Sequence, residues 1–362
     1  MKVAIIGAGI AGLSLCEWLL EEDCHISVFD STDPFMGSDA PTVLFHPFPG
    51  RSLEVHPFLQ EAVTKTITLL KKWQLLAPSL IRSSWMIRPL QGNNEHRLKN
   101  SFDRLWKNHS VDWVHLQKWS ANKLRQQEPL FAQSCDALAY QPSYAIDIGE
   151  LRSVLLQRLL DHKVQYHPLT ISSIQKGKSW FLPEVDQHFD KIVLAVGSNT
   201  PYWFPELRIT LQGGSLLQAR LTDSPKHLLS VNGLHLGRHH SGDLVIGSTR
   251  WSTPPDKHAQ ITELTERLYR ELPLLPTLSP IQLWSGLRCI YPSDRLPLCG
   301  QLPHCPNLYV LTALGSKGML WGPLAAHYLR NNVCTGDEIP ETFSLLRARS
   351  EDGWFSPKIS VT

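Results

Sequence analysis

The sequence predicts an α/β fold in which a parallel-sheet nucleotide-binding domain is interleaved with a second domain of antiparallel sheet and helices. Three observations carry this expectation. The chain opens on an apolar strand, a glycine turn and a helix. Buried-type strands running into glycine turns return at Lys191–Gly197 and Leu308–Gly315, and residues 205–250 between them alternate in hydropathy as antiparallel strands do.

The opening is the most specific of the three. Lys2-Val-Ala-Ile-Ile reads as a strand, Gly7-Ala-Gly9-Ile10-Ala11-Gly12 as a turn entering a helix, and Ile26-Ser-Val-Phe-Asp30 as a second strand ending in a carboxylate. Gly7 permits the tight turn, Gly9 lets the backbone approach a pyrophosphate, and Gly12 lets helix and strand pack closely. The N–H groups at the start of the helix lack intrahelical acceptors and, with the dipole, favour phosphate. Asp30 falls where an acid meets a ribose hydroxyl pair. The pattern predicts a Rossmann-like site for the ADP half of a dinucleotide.

Helical patterning follows at about 58–73. Asp147-Ile-Gly-Glu150 reads as a capping box opening a helix to about Lys163, with Leu151, Val154, Leu155 and Leu159 on one face. Short strands are expected near 164–182, and a helix near 256–271 precedes the proline-rich 273–280. The last third gives a strand at 308–313, a turn at 314–318 and a helix at 319–330 started or interrupted by Pro323. The expected division is a discontinuous dinucleotide-binding domain (1–75, 145–200 and 285–362) and a substrate domain (76–144 and 201–284).

At 362 residues the chain can bury two cores, and 42% hydrophobic with 19% charged residues and no low-complexity tract describes a folded protein. A net charge of +2 selects no partner. Seven cysteines without CxxC suit a reducing, cytoplasmic setting, and no run approaches a membrane span. No secretion signal is expected, because the apolar start is accounted for by the glycine spacing. Residues 82–119 gather Arg82, Arg88, Arg97, Lys99, Arg104 and Lys107 with Trp85, Trp106, Trp113 and Trp119. They read either as a nucleic-acid surface or as a solvated face over a tryptophan core. Sixteen histidines include His239-His240, but no HExxH or paired ligand spacing, so no metal site is expected.

A disulfide-reductase-type NAD enzyme would carry a second GxGxxG and usually a CxxC; both are lacking, which favours FAD in the single nucleotide site. The segments Trp284-Ser-Gly-Leu-Arg288-Cys-Ile-Tyr-Pro-Ser-Asp294-Arg-Leu-Pro297 and Ala313-Leu-Gly-Ser-Lys317-Gly-Met then carry a family resemblance. They resemble the D-amino-acid oxidase superfamily of flavoproteins, and among them the FAD-dependent oxidase domain of the bifunctional tRNA wobble-uridine modification enzymes. The likeness extends over nearly the whole chain, including Phe45-His-Pro47, Val193–Gly197 and Val245–Thr249.

The resemblance implies a carboxylate-gripping role for Arg288, for which a planar guanidinium fork is chemically apt. Lys317 stands where some relatives carry a second basic residue. His235 takes the place of a pocket aromatic, either hydrogen-bonding substrate or serving a structural role. The turn Gly315-Ser316-Lys317-Gly318-Met319 is implied to aim its N–H groups at the flavin pyrimidine. Ser38, Thr42, Ile171, Ala195 and Gly197 join Gly7, Gly9, Ile10, Ala11, Gly12 and Asp30 as implied cofactor contacts. The loop Gly37–Val43 departs from the small-residue pattern of relatives by being bulkier at its end. Cys289 adjoins Arg288, but its spacing to Asp294 differs from flavin-attaching relatives, so FAD is expected to be non-covalent.

The implied reaction is hydride transfer to flavin N5 from the C–H beside an amine, cleaving the C–N bond of an N-substituted glycine or amino acid. The competing substrate is carboxymethylaminomethyl-uridine in tRNA. The chain opens on the fingerprint, so a separate methyltransferase half is not expected. A flavin-binding protein without turnover is the alternative from another class.

Overall fold

The structure, a computed structural model, describes residues 1–31, 35–50, 53–91, 95–108, 112–131, 135–348 and 360–361. The apolar runs near the two ends of the chain lie side by side in one six-stranded sheet. Its order is Leu298–Gln301, Leu308–Thr312, Lys191–Leu194, Lys2–Ile6, His25–Phe29 and Gln165–His167. All neighbours are parallel except the edge strand Leu298–Gln301. Val3, Ala4, Ile5, Ile192, Val193 and Leu194 are fully buried, as expected of strands covered on both faces. The chain leaves Lys2–Ile6 towards one side and later returns on the other. The carboxyl end of this strand is therefore a topological switch point, where open α/β sheets bind ligands.

The helix Ile10–Leu19 is buried at every position but Ile10, a distribution that belongs to a helix enclosed on all sides. It packs against the helices Gly318–Cys334 and Ile148–Asp161. Pro323 neither starts nor interrupts the C-terminal helix, which runs unbroken through it. Proline has no N–H for the carbonyl four residues back, that of Met319. Thr66, on the helix Leu59–Leu76, supplies the missing donor: its hydroxyl donates to the Met319 carbonyl at 2.9 Å. The Trp18 indole N–H donates to the Pro323 carbonyl at 3.0 Å, so three helices meet at this point.

The expected capping box does not form. Asp147 is the N-cap of Ile148–Asp161 but its side chain caps nothing. Its carboxylate turns to Thr42 Oγ1 at 2.6 Å, to two nitrogens of Arg82 at 2.9 Å and to His240, with no exposed surface of its own. Charged and tertiary partners outcompete the local N–H groups.

An eight-stranded sheet forms the second layer: Ser279–Ile290, Thr210–Arg220, Leu244–Gly247, Leu234–Arg238, Leu228–Val231, Met86–Pro89, Ala137–Gln141 and His115–Trp119. Its two long strands pair from Thr210 to Arg220, with Gln212 opposite Arg288. The strand Ser279–Ile290 runs past the boundary expected at 284. A small sheet of Val43–Phe45, Tyr144–Ile146 and Ile81–Ser83 lies between the layers in sequence.

In the stretch 82–119, Arg82 joins Asp147 and the buried Arg88 donates to the Phe48 and Gly50 carbonyls. Trp85 packs on the buried Trp119, ring centres 5.8 Å apart. These positions follow the tryptophan-core reading. The side chains of Trp106 and Lys107 lie outside the described residues.

Candidate active site

A single cavity of about 940 Å³ runs from the glycine fingerprint to the large sheet, at the upper end of the usual size of a ligand site. At one end lie Gly7, Gly9, Ile10, Ala11 and Asp30; Ser38, Thr42, Ile171, Ala195 and Gly197 line its flanks. Gly315, Ser316, Lys317, Gly318 and Met319 approach from the C-terminal turn, and Arg288 and His235 stand at the other end. Gly12 alone among the expected residues does not line it. Gly12 acts underneath: a Cβ there would overlap the Gly7 carbonyl oxygen, and one on Gly7, whose φ is +109°, would overlap the Ala195 carbonyl. Only hydrogen fits at either position.

The fingerprint end is a cradle of main-chain groups. Ala8 N–H donates to Asp30 Oδ1 at 2.8 Å and Ile10 N–H to Ser38 Oγ at 2.9 Å, fixing the turn. Asp30 is 6% exposed, and burial raises its carboxyl pKa against the lowering pull of Ala8 N–H and Arg152. Arg152 escaped the sequence reading. It ion-pairs with the other oxygen of Asp30 while its Nε donates to the Ala8 carbonyl at 3.0 Å, clamping turn to acid. A carboxylate has about four acceptor positions, so Asp30 keeps capacity for a ribose hydroxyl. The cradle, the acid and the cavity volume fit FAD. Gly7, Gly9, Ile10, Ala11 and Asp30 would hold its ADP half.

The turn after Leu308–Thr312 brings the second helix N-terminus to the same cavity. Ala313 has φ +62° and Gly315 φ +57°, and the Gly315 N–H donates to the Cys289 carbonyl at 2.9 Å. A left-handed alanine is a local cost, repaid here by the tertiary fit of the turn. A Cβ on Gly318 would lie 3.3 Å from Ile10, so the two helix starts adjoin. Lys317 is the N-cap residue. Burial, then Arg295, lowers its pKa from the usual lysine value.

The other end is made by side chains. The Arg288 guanidinium lies across Gly214, where a Cβ would overlap it, and Nη1 donates to the Gly213 carbonyl at 3.4 Å. Burial and the neighbouring Arg250 lower its pKa. Glycine inside a strand often marks such an approach, a signal at Gly213-Gly214 that the sequence reading passed over. His235 lies opposite Gly247 across the sheet. Burial and the Arg88 charge bring its pKa down to about 4, so its ring is neutral at pH 7. Cys289 is buried beside Arg288, with Sγ 3.4 Å from the Thr312 hydroxyl.

The sequence missed one grouping with metal-ligand chemistry: Asp147, His239 and His240 converge, although Asp147 lies far upstream. Arg82 already donates to both Asp147 oxygens, so charge and coordination there are largely met.

The sequence matches the family described as DAO, FAD dependent oxidoreductase, over residues 2–331. The chain belongs to that family. As a DAO-family member it is an FAD-dependent oxidoreductase, and the glycine cradle is consistent with that assignment. It is 24% identical to the bifunctional tRNA 5-methylaminomethyl-2-thiouridine biosynthesis protein MnmC of Acinetobacter baylyi, over 95% of this chain and 54% of that protein. The corresponding protein of Magnetococcus marinus is 23% identical over 89% of this chain and 55% of its own length. The chain thus spans about half the length of these curated relatives. Among solved structures, glycine oxidase from Bacillus cereus superposes with a TM-score of 0.80 at 18% identity, covering 93% of this chain and 96% of that one. Iminodiacetate oxidase from Chelativorans sp. BNC1 gives 0.78 at 17% identity, covering 94% and 98%. These two share the DAO-family fold. Among the described residues, no helix is long and apolar enough to cross a membrane.

Proposed function

We propose that this DAO-family enzyme oxidises the C–N bond of an N-substituted glycine or other amino acid, with Arg288 holding the substrate carboxylate. One observation carries the reading. A guanidinium without a carboxylate partner among the described residues stands in the cavity that also holds the nucleotide cradle. A half-buried cation left uncompensated is stabilised by an anionic ligand. FAD, when bound, supplies the hydride acceptor. Arg288 binds and orients the acid, and Gly214 gives the guanidinium its place. Leu216 and Trp284 contribute apolar wall that excludes water. The helix start at Gly318, with Lys317, supplies positive potential at the flavin end. Neutral His235 is able to accept or donate one hydrogen bond to the amine. Cys289, hydrogen-bonded to Thr312, supports non-covalent FAD. Acid precipitation should leave the yellow colour in the supernatant.

A second reading, removal of carboxymethyl from carboxymethylaminomethyl-uridine in tRNA, is favoured by the two MnmC relatives. Its substrate also presents a secondary amine beside a carboxylate. Anaerobic mixing with glycine, sarcosine, iminodiacetate, D-alanine and hypomodified tRNA separates the two. Bleaching of the visible flavin band by a free amine supports the first reading, and bleaching by tRNA alone supports the second. Bleaching by none would overturn both.

A further inference from the structure

We infer that Arg250 and Arg288 together form a two-anion site at Gly214, so that the preferred amine carries an acidic group on each side of its nitrogen. The inference rests on the carboxylate-anchoring role of Arg288 proposed above and extends it to the far arm of the substrate.

The placement follows from the backbone. Gly213 and Trp251 exchange N–H···O bonds of 2.8 and 3.2 Å, and the Thr249 N–H donates to the Ser215 carbonyl at 3.3 Å. Arg250 lies between these pairs and therefore falls opposite Gly214. From the strand on the other side, Arg288 lays its guanidinium over the same Gly214. Both arginines line the cavity. Among the described residues, neither has a carboxylate within ion-pair distance. Burial, then the Arg250 charge, lowers the Arg288 pKa, in keeping with this proximity.

Two like charges at one glycine repel until negative charge enters between or beside them. A single α-carboxylate fills one planar fork and leaves the second guanidinium uncompensated. Lys317, at the opposite end of the cavity, differs in that the negative field of Glu54 reaches it. Arg250 is exposed and so faces the mouth, where the outer arm of an N-substituted glycine would lie.

Unreactive isosteres test this without turnover. Glutarate copies a secondary amine with two carboxylates, 4-phosphonobutyrate one with a carboxylate and a phosphonate, and butyrate one with a single carboxylate. Each is titrated into the yellow holoenzyme, following the flavin band and tryptophan emission. Glutarate or phosphonobutyrate should bind at least about tenfold tighter than butyrate, the scale of one charge-assisted hydrogen bond. Either ranking of those two supports the site and tells which acid fills it. Arg250→Met should reduce the dianion-to-monoanion ratio about tenfold, and Arg250→Lys should reduce it less, with flavin content reporting the fold. Equal binding of butyrate and both dianions, or a ratio unmoved by Arg250→Met, overturns the inference. Arg288→Met should weaken all three ligands. If it weakens none, the anchoring role falls as well, so the two failures are distinguishable.

Discussion

The two ends of the cavity are built by opposite means. The nucleotide end is made of main chain: glycines whose missing Cβ atoms leave room, two adjoining helix starts, and one acid tied down by Ala8 N–H and Arg152. The other end, where the carboxylate is proposed to bind, is made of long cationic side chains projecting from a sheet, with Arg288 resting on Gly214. Backbone recognition tolerates no added atom, whereas side-chain recognition can shift and be retuned. The first end should therefore fail all at once and the second by degrees.

The largest expected effect breaks the first end. Gly12→Val puts branched carbon into the Gly7 carbonyl, and the purified protein should lose its flavin outright. Retention of full flavin content would show that the turn yields more than its geometry indicates. Asp147→Asn comes next. It removes the buried charge opposite Arg82 and His240 where the two layers interlock, and should cost about 3 kcal/mol in denaturant unfolding. A loss below about 1 kcal/mol would mean that Arg82 finds water instead.

The pH dependence is of similar or smaller size. His235 titrates near 4 when folded and near its ordinary value of 6.5 when unfolded. Between these values the unfolded chain holds more protons, so stability falls as pH drops from 6.5 to about 4 and levels off below. His327, also brought down to about 4, contributes in the same sense. The comparison of His235→Gln with the parent should isolate the His235 share as a shallower decline. A parallel decline would remove it. Last, Gly214→Ala should leave flavin content intact while weakening carboxylate binding about tenfold, because only the flexible end of Arg288 has to move. Loss of flavin in that variant would erase the contrast between the ends.

The same contrast explains what was legible in the sequence. Strand, glycine spacing and Asp30 lie within thirty consecutive residues, because a phosphate turn is a local object, and they could be read directly. The helix at 257–271 and the strands of 205–250 were equally visible from their periodicity. Arg152 was not, since helical spacing says nothing about which strand end it will reach. The opposition of Arg250 and Arg288 needed the strand pairing through Gly213 and Gly214. Asp147 misled for a related reason. Its capping pattern is local, and three partners distant in sequence outweighed it. Pro323 left both a helix start and a break open until Thr66 showed how the Met319 carbonyl, deprived of an N–H by the proline, is met.

The placement of Leu308–Thr312 beside Lys191–Leu194, and of the C-terminal helix over Ile10–Leu19, has a bearing on biosynthesis. A nascent chain that has emerged only through its first two hundred residues owns the phosphate turn but neither the strand nor the helix that covers it. Its sheet would end on an open edge, a known hazard for intermolecular pairing. Cofactor capture should therefore wait until Leu308–Thr312 and Gly318–Cys334 have been made, and nascent chains stalled before them should be colourless.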